Sequence, residues 1–238
     1  MHAERLILPR RVSLAAGVLF LITYVTSIAA YALFQPVLDD PAGYIAGTGQ
    51  DGRIHLGVLL ELLLIAANIG TAVVLYPVLK RQSEALSLGF VTARIVESVF
   101  IAAGILCVLA IVSLGHDDPG AGSLAVSLAA TKDGTFLLGP GVVEIGNGLI
   151  LGWLLLRSGL VPRRMALLGV VGGPVLLASG IAVLFGVVEA GGIVQSLATV
   201  PEFLWELSLG VYLTVQGLAR PSAGRGAAAP ADPRPVTA

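Results

Sequence analysis

Six apolar blocks, each long enough to cross a lipid bilayer, constrain this 238-residue chain more than any other feature. A spanning helix needs about 20 mainly apolar residues, because that length matches the hydrocarbon core of the membrane. The blocks that meet this requirement cover residues 12–34, 54–79, 87–114, 135–156, 165–188 and 193–218. Because a helix satisfies all of its backbone polar groups inside the membrane, we predict an all-α, polytopic integral membrane protein with six transmembrane helices.

The composition agrees with this class and excludes several others. Hydrophobic residues make up 56% of the chain and charged residues 12%, whereas a soluble domain is about 25% charged. Cys107 is the only cysteine, so intramolecular disulfides and cysteine-based metal clusters are excluded. No basic block with interleaved aromatic residues supports nucleic-acid binding. The lipid bilayer is therefore the partner that the composition predicts, and a homo-oligomer is left open.

One motif matches a cofactor signature in its letters alone. Gly47–Gly52 reads as GxGxxG, yet no strand precedes it and no βαβ unit surrounds it, so we interpret it as a flexible loop. The chain has no HExxH or CxxC motif, and the serines of the apolar blocks have no histidine partner. We therefore predict no cofactor, no metal site and no catalytic residues.

Cationic residues are distributed unevenly between the two ends of the predicted spans. With the N-terminus inside, eleven Lys and Arg residues lie in inner segments, Arg53 and Lys132 lie in outer segments, and Arg94 is intramembrane. The positive-inside rule then places both termini in the cytoplasm. The predicted organisation has three parts: a basic cytoplasmic N-terminus (1–11), a transmembrane domain (12–218) and a disordered cytoplasmic tail rich in Pro, Ala and Gly (219–238).

Charged residues inside the spans are the main indication of function. A charge at the bilayer centre costs about 2.5–3.5 kcal/mol or more, so it normally has a partner or a role. Arg94 and Glu97 lie three residues apart on the third span and share a helix face. They either form a structural ion pair, with Arg94 reaching toward the cytoplasmic interface, or take part in the function.

Two more glutamates lie near the midplane. Glu144 is flanked by glycines and shares a helix face with Asn147. The segment Gly139–Gly141 is expected to break the helix beside it, and broken helices are a feature of transporter sites. Glu206 lies fourteen residues before Arg220, or about 21 Å from the inner surface at 1.5 Å per residue. The alternative for Glu144 is that it pairs with Arg94 and only ties two helices together.

The remaining polar residues have structural interpretations. Thr199 and Glu202 fit a capping box, with Thr199 as the N-cap of a helix and Glu202 folding back onto it. Glu61 lies in the outer third of the second span, and Asn68 follows two helical turns later on the same face. We interpret Glu61 as a water-accessible vestibule residue, and Asn68 and Asn147 as secondary polar candidates.

These positions lead to one geometric hypothesis. If the second, fourth and sixth helices adjoin the third, Glu97, Glu144 and Glu206 converge around Arg94 at similar depth. Three carboxylates cannot all remain charged beside one guanidinium, so at least one of them is expected to hold a proton. A proton-accepting site requires such a group.

Two stretches of the chain resemble a known family. The first runs from Leu59 to Glu97 and contains Leu-Tyr-Pro-Val-Leu-Lys-Arg at 75–81 and the Arg-xx-Glu pair, and the second is Pro201–Gly210 with its Leu-Trp-Glu segment. Both resemble the family of domain of unknown function 4386, small multi-pass proteins found mainly in bacteria. The likeness extends over most of the chain and implies the topology and a location in the bacterial plasma (inner) membrane. It carries over no catalytic residue.

Two functions of different classes follow from these residues. The first is transport of an ion or small solute coupled to protonation of Glu97, Glu144 or Glu206, with Arg94 setting their affinity for protons. The second is a non-catalytic membrane component, in which the same charges only specify helix packing or assembly. An intramembrane enzyme acting on lipid is a third interpretation, which a cavity open sideways to lipid would favour.

Overall fold

The computed structural model describes residues 4–47, 51–118 and 120–218, and their side chains from residue 10 onward. All regular structure in these ranges is helical, so the all-α prediction is confirmed there. The helices are α1 (Glu4–Asp39), α2 (Pro41–Ala46), α3 (Asp51–Leu79), α4 (Glu84–Asp117), α5 (Gly122–Leu138), α6 (Gly152–Ser158), α7 (Arg163–Leu184) and α8 (Ile193–Val215), with two π-helical turns, Gly139–Val143 and Gly146–Leu151, between α5 and α6. The predicted tail 219–238, residues 1–3 of the predicted basic N-terminus and residues 48–50 of the GxGxxG loop lie outside the described residues.

Five helical segments are long and apolar enough to cross a membrane. They are Arg10–Asp39, Asp51–Leu79, Glu84–Asp117, Gly122–Ser158 and Arg163–Leu184. The prediction of several membrane-spanning helices is therefore confirmed. The predicted sixth span corresponds to α8, which is long enough at 23 residues but is not among the five segments, so the count of six is not confirmed. Polar residues such as Glu202 and Glu206 lower its hydropathy.

The fourth spanning segment begins at Gly122 rather than at residue 135. Lys132 therefore lies inside α5, and its assignment to an outer loop is wrong. Its side chain is buried, and its charge has a partner within the bundle. Small and apolar residues fill most of α5, so the helix continues through the two charged positions, Lys132 and Asp133.

The predicted helix break beside Glu144 is instead a local widening of the helix. Gly139–Val143 and Gly146–Leu151 form π-helical turns, and Glu144 lies between them. A proline in the first turn has no N–H to donate, which favours this departure from the α-helical pattern. A Cβ on Gly148 would lie 2.7 Å from Gly173 Cα. Glycine at this position therefore allows the second turn to pack closely against α7.

The long helices form a ring around a polar interior. α1 packs against α3 and α8, α8 against α7, α7 against the π-helical turns, and α4 against these turns and α3. Apolar residues form two separate cores, one that includes Phe20, Phe90 and Trp205 and another that includes Phe34 and Ile105. Buried polar residues such as Asn68 on α3 and Arg94 and Glu97 on α4 lie between the two cores along their helices.

Hydrogen bonds close both ends of the ring. At one end, Leu218 N donates to Ser13 Oγ at 2.9 Å, which places the end of α8 beside the start of α1. At the opposite end, the Tyr44 hydroxyl donates to Asp51 Oδ1, and His116 Nε2 lies near Asp51 Oδ2, both at 2.7 Å. Burial and the hydrogen bond to the Asp51 carboxylate raise the pKa of the Tyr44 hydroxyl. Asp51 thus joins α2, α3 and α4.

Candidate polar site between the two apolar cores

Arg94 lies in the middle of the polar layer. On α4 it stands between Phe90, which belongs to one apolar core, and Ile101, which belongs to the other. Its side chain is 1% exposed, and its Cζ lies 5.7 Å from the centre of the Phe20 ring. A guanidinium removed from water needs anionic or hydrogen-bonding partners. Three carboxyl groups supply them.

Glu97 is the partner from the same helix. Its Oε2 accepts a 2.8 Å hydrogen bond from Arg94 Nη1, as the i, i+3 spacing favours. Its Oε1 accepts a 2.9 Å hydrogen bond from Asn68 Nδ2 on α3. Both oxygens of Glu97 therefore have a partner, and Asn68 connects α3 to the site.

Glu206 and Glu144 reach Arg94 from α8 and from the residues between the two π-helical turns. Glu206 Oε1 accepts a 3.0 Å hydrogen bond from Arg94 Nη2 and a second, short one from Asn147 Nδ2. Glu144 Oε1 lies 3.7 Å from Arg94 Nη1, a distance that makes an ion pair without a hydrogen bond. The Glu144 carboxyl group also interacts with that of Glu206. The structure thus places Arg94, Glu97, Glu144 and Glu206 in contact.

Trp205 holds the π-helical segment against α8. Its side chain is fully buried, and its Nε1 donates to the carbonyl oxygen of Asn147 at 3.3 Å. A carbonyl in a π-helical turn is available for such a bond because the regular α-helical pattern is interrupted there. The next residue on α8, Glu206, then meets the side-chain amide of Asn147. One tryptophan therefore positions both members of this hydrogen bond.

Glu202 is not a helix cap, so the capping prediction is wrong. α8 begins at Ile193 with Gly192 as its N-cap, because apolar residues continue the helical pattern before Thr199. Thr199 lies in the helix interior, where its Oγ1 donates to Gln195 O at 2.9 Å. Glu202 is 2% exposed, and neither carboxylate oxygen has a hydrogen-bond partner. The Asn147 side chain lies near this carboxyl group, and its Oδ1 is also buried without a hydrogen-bond partner.

Glu61 is not a water-accessible vestibule residue. It is 8% exposed, and its Oε1 lies 2.6 Å from Lys132 Nζ, which is also buried. The Phe34 ring covers this ammonium group, with its centre 5.2 Å from Nζ. The vestibule interpretation relies on the position of Glu61 in the outer third of its span, and it misses the buried cation because Lys132 is assigned to an outer segment.

A partly open cavity of about 290 Å³ adjoins both the Arg94 group and the Lys132–Glu61 pair. Apolar and aromatic side chains form most of its wall. The charged residues on the wall are six acids and two bases: Glu61, Glu97, Asp133, Glu144, Glu202, Glu206, Arg94 and Lys132. Both bases already contact carboxylates, so the wall carries an excess of acidic groups.

Three contributors to the site were missed from the sequence: Lys132, Glu202 as a buried acid, and Tyr24. An intramembrane acid normally needs a cationic partner. For Glu61, this rule indicates one of the two predicted outer cations, Arg53 or Lys132. Tyr24 lines the cavity, donates a short hydrogen bond to Phe203 O, and lies with its ring centre 4.7 Å from that of Phe203. No pattern in the sequence distinguishes Tyr24 from the other aromatic residues.

This arrangement is suited to holding protons or a cation. Three carboxyl groups share one guanidinium, and the fourth, that of Glu202, has no partner. The carboxyl groups of Glu144 and Glu206 interact, and two neighbouring carboxyl groups can share one proton. Within the described residues, no group of three or more His, Cys, Asp and Glu side chains is arranged to hold a metal ion.

Comparison with known proteins identifies a family and no activity. A family model described as a domain of unknown function (DUF4386) matches residues 15–217, which include most of α1 and all the other helices of the ring. No curated protein and no solved structure matches the chain. The functional argument therefore rests on the geometry of the polar site.

Proposed function

The chain belongs to the DUF4386 family, and we propose that this member is a multi-pass protein of the bacterial plasma membrane that couples the movement of an ion or small solute to protons. The observation that carries the proposal is the group of Glu97, Glu144 and Glu206 around Arg94 on the wall of a cavity. A site with more acids than bases gains from binding a proton or another cation.

The proposal includes six spans. α8 supplies the sixth, since its 23 residues match the hydrocarbon thickness. Its acids, Glu202 and Glu206, line the cavity inside the ring, and Glu206 contacts Arg94 there. Polar residues that avoid lipid in this way do not prevent a helix from crossing the membrane.

Both termini are proposed to lie in the cytoplasm. Leu218 and Ser13 are hydrogen-bonded, so the two ends of the transmembrane domain (12–218) share one side. With Lys132 inside α5, Arg53 is the one basic residue left in the predicted outer segments, which supports the positive-inside argument. The segments 1–11 and 219–238 are then cytoplasmic.

Coupling follows from charge balance in the cavity. When a proton leaves one of the three acids around Arg94, the uncompensated negative charge increases, and a solute cation restores the balance. When the proton returns, the same carboxyl group loses its affinity for the cation. Binding of the two is therefore mutually exclusive, which is the requirement for exchange across a membrane.

Infrared difference spectroscopy tests the proton site directly. The protein in a lipid film is moved from mildly acid to alkaline buffer, a range in which exposed carboxyl groups stay ionised. We expect a carboxylic acid band that disappears on deprotonation and that is weaker in Glu144→Gln and Glu206→Gln. Glu84→Gln is the matched control, because Glu84 is exposed at the start of α4. A wild-type protein without this band contradicts the proposal.

Flux measurements test the coupling. Proteoliposomes contain a pH-sensitive dye and an acid interior, and sodium, potassium, alanine or tetraphenylphosphonium is added outside. We expect at least one of these solutes to change the internal pH with the wild-type protein and to have little effect with Glu206→Gln. Flux equal to that of the wild type in both Glu144→Gln and Glu206→Gln would argue against the proposal.

A structural role is the second candidate, and one observation favours it. Arg94 joins α4, α8 and the segment between the π-helical turns through three carboxyl groups. If this is its whole purpose, Glu144→Gln and Glu206→Gln change the unfolding temperature or the assembly of the protein. The infrared band is then the same in these variants as in the wild type, and no added solute changes the internal pH.

A further inference from the structure

Part of the cavity wall also forms the outer surface of the ring. Four residues that line the cavity are large, apolar or aromatic, and strongly exposed: Ile28 (53%), Tyr31 (60%), Phe136 (55%) and Phe203 (43%). They come from α1, α5 and α8. A side chain that lines an interior space and is about half exposed marks a mouth of that space, so the cavity opens between these three helices.

The mouth lies at the depth of lipid chains. Tyr31 is eight residues from the end of α1 at Asp39, which is about 12 Å. Phe203 is ten residues from the start of α8 and Phe136 fourteen from the start of α5, or about 15 and 21 Å. The helical segments Arg10–Asp39 and Gly122–Ser158 are 30 and 37 residues long and therefore extend beyond a hydrocarbon core about 30 Å thick. Tyr31, Phe136 and Phe203 lie within the predicted spans 12–34, 135–156 and 193–218, toward their outer ends, so the mouth faces lipid in the outer half of the bilayer.

The charge behind the mouth selects a cation. Among the six acids on the wall, Glu202 is 98% buried with both oxygens unpartnered, and Glu61 Oε2 is also buried without a partner. Glu144 lies 3.7 Å from Arg94, the longest of the three contacts with the guanidinium, so it is the most weakly held of the three acids. A cation that reaches Glu144 meets a carboxyl group whose existing contact is easily replaced.

The aromatic wall selects an organic cation over a hydrated inorganic ion. Aromatic faces attract cations within about 6 Å of the ring centre, and best where water is excluded. The cavity already uses this interaction, since Phe34 covers the Lys132 ammonium group at 5.2 Å. Tyr24, Phe136 and Phe203 line the same space and cover no resident cation in the described structure.

From the mouth, the charge and the aromatic wall, we propose that the cavity binds a lipophilic organic cation that enters sideways from the bilayer between α1, α5 and α8. The cation displaces the proton of the Glu144 carboxylic acid: the O–H bond breaks, the carboxylate pairs with the cation, and one proton passes to water. This inference rests on the proposed function and names the class of solute that the protons exchange with.

Calorimetry with tetraphenylphosphonium tests the binding step. The full-length protein in detergent is titrated in two buffers of different ionisation enthalpy, with empty micelles as the blank. We expect saturable binding with release of about one proton and an affinity that rises roughly tenfold per pH unit while Glu144 is protonated. In Glu144→Gln, we expect no proton release and an affinity that is lower by about tenfold or more. Glu84→Gln binds like the wild type.

Fluorescence quenching tests the sideways mouth. In a Trp153→Phe background, Trp205 is buried at 0% exposure and serves as the internal reference. Adding Phe136→Trp places a tryptophan at the mouth, where we expect quenching by lipids brominated on the acyl chain and little quenching by iodide. Bound tetraphenylphosphonium is expected to reduce the lipid quenching. Strong quenching by iodide with none by brominated lipid overturns sideways access, since the mouth is then open to water.

The two proposals fail in different ways. If sodium or alanine changes the internal pH of proteoliposomes while tetraphenylphosphonium neither binds nor releases protons, the proposed function stands and the lipophilic cation is overturned. If tetraphenylphosphonium binds equally to the wild type and Glu144→Gln without proton release, the displacement step is overturned. If the infrared band is absent as well, both proposals fail.

Discussion

Two cations are buried in the same polar layer, and their surroundings differ in charge balance. Lys132 has one close acid, Glu61 at 2.6 Å, whereas Arg94 has Glu97 and Glu206 at 2.8 and 3.0 Å and a third acid at 3.7 Å. A phenylalanine ring lies near each cation, at 5.2 Å from Lys132 and 5.7 Å from Arg94. Burial and aromatic contact are therefore shared, and the number of acids is the difference.

The charges of the balanced pair, Lys132 and Glu61, cancel, whereas those of the unbalanced group around Arg94 do not. Lys132 and Glu61 cancel each other's charge, so the pair needs no mobile ion to remain buried. The group around Arg94 carries two negative charges in excess when all three acids are ionised. It needs a proton or another cation, and this need makes it the part of the protein suited to coupling.

Removal of Arg94 is expected to have the largest effect on stability. Arg94→Met leaves three acids facing one another without a cation, and breaking a buried charge group in this way costs about 3–5 kcal/mol. The free energy of unfolding in detergent measures the loss. Arg94→Lys is the control that keeps the charge and loses the fork of donors, so a smaller loss is expected. An unchanged unfolding midpoint in Arg94→Met would show that the group carries little energy.

Removal of Lys132 is expected to cost somewhat less, about 3 kcal/mol, because one acid rather than three is left unpaired. The double variant Lys132→Met/Glu61→Gln is expected to regain most of this, since no buried charge remains. Arg94→Met/Glu97→Gln regains much less, because Glu144 and Glu206 remain. A double-mutant cycle measures both couplings. Equal recovery in the two double variants would remove the distinction between the balanced and the unbalanced group.

Within the Arg94 group, the acids are expected to differ from one another. Glu97→Gln weakens hydrogen bonds to Arg94 and Asn68 and is expected to cost about 1.5–3 kcal/mol, the range for bonds to charged groups. Glu144→Gln is expected to cost about 1 kcal/mol or less, since loss of its 3.7 Å contact is offset by weaker repulsion among the acids. Chemical unfolding in detergent separates the two. A larger cost for Glu144→Gln would contradict its assignment as the weakly held acid.

The smallest expected effect concerns the packing around Lys132. A Cβ on Gly104 would lie 2.7 Å from Lys132 Cδ and from Thr135 Oγ1, so Gly104→Ala is expected to cost about 1 kcal/mol through overpacking. Gly89→Ala on the same helix is the control, since its Cβ would meet one atom, Ile150 Cδ1, at 3.6 Å. Unfolding midpoints measured side by side are expected to fall for Gly104→Ala only. If the unfolding midpoint of Gly89→Ala falls as far, the loss comes from added methyl groups on α4 in general and is not specific to the packing around Lys132.

Several features of the fold and of the site follow from the sequence alone. Apolar block length predicts helices that cross a membrane, and five segments meet that criterion in the structure. Counting residues along each block predicts that Glu97, Glu144 and Glu206 share a depth with Arg94, and the structure places all three within 3.7 Å of the guanidinium. Depth is predictable because the rise per residue of a helix is constant.

Other features were beyond the sequence for identifiable reasons. The start of α5 at Gly122 was missed because its serines, threonines and charges resemble a loop, so Lys132 was separated from Glu61. Glu202 was assigned to a cap because the local pattern Thr-x-x-Glu is the same in a cap and in a helix interior. The choice depends on where the helix begins, which the preceding residues and the packing decide.

The sequence by itself determined that this protein is helical, that it has several membrane-spanning helices, and at what level along each helix its polar residues stand. The tertiary structure decided which of those residues face one another: it paired Lys132 with Glu61, buried Glu202 without a partner, and opened a cavity beside Arg94. The physical reason is that the depth of a residue follows from its distance along one helix. The residues that it faces depend on the rotation of each helix about its own axis. That rotation is set by contacts between helices, such as the close approach of Gly148 to Gly173, which no single segment contains.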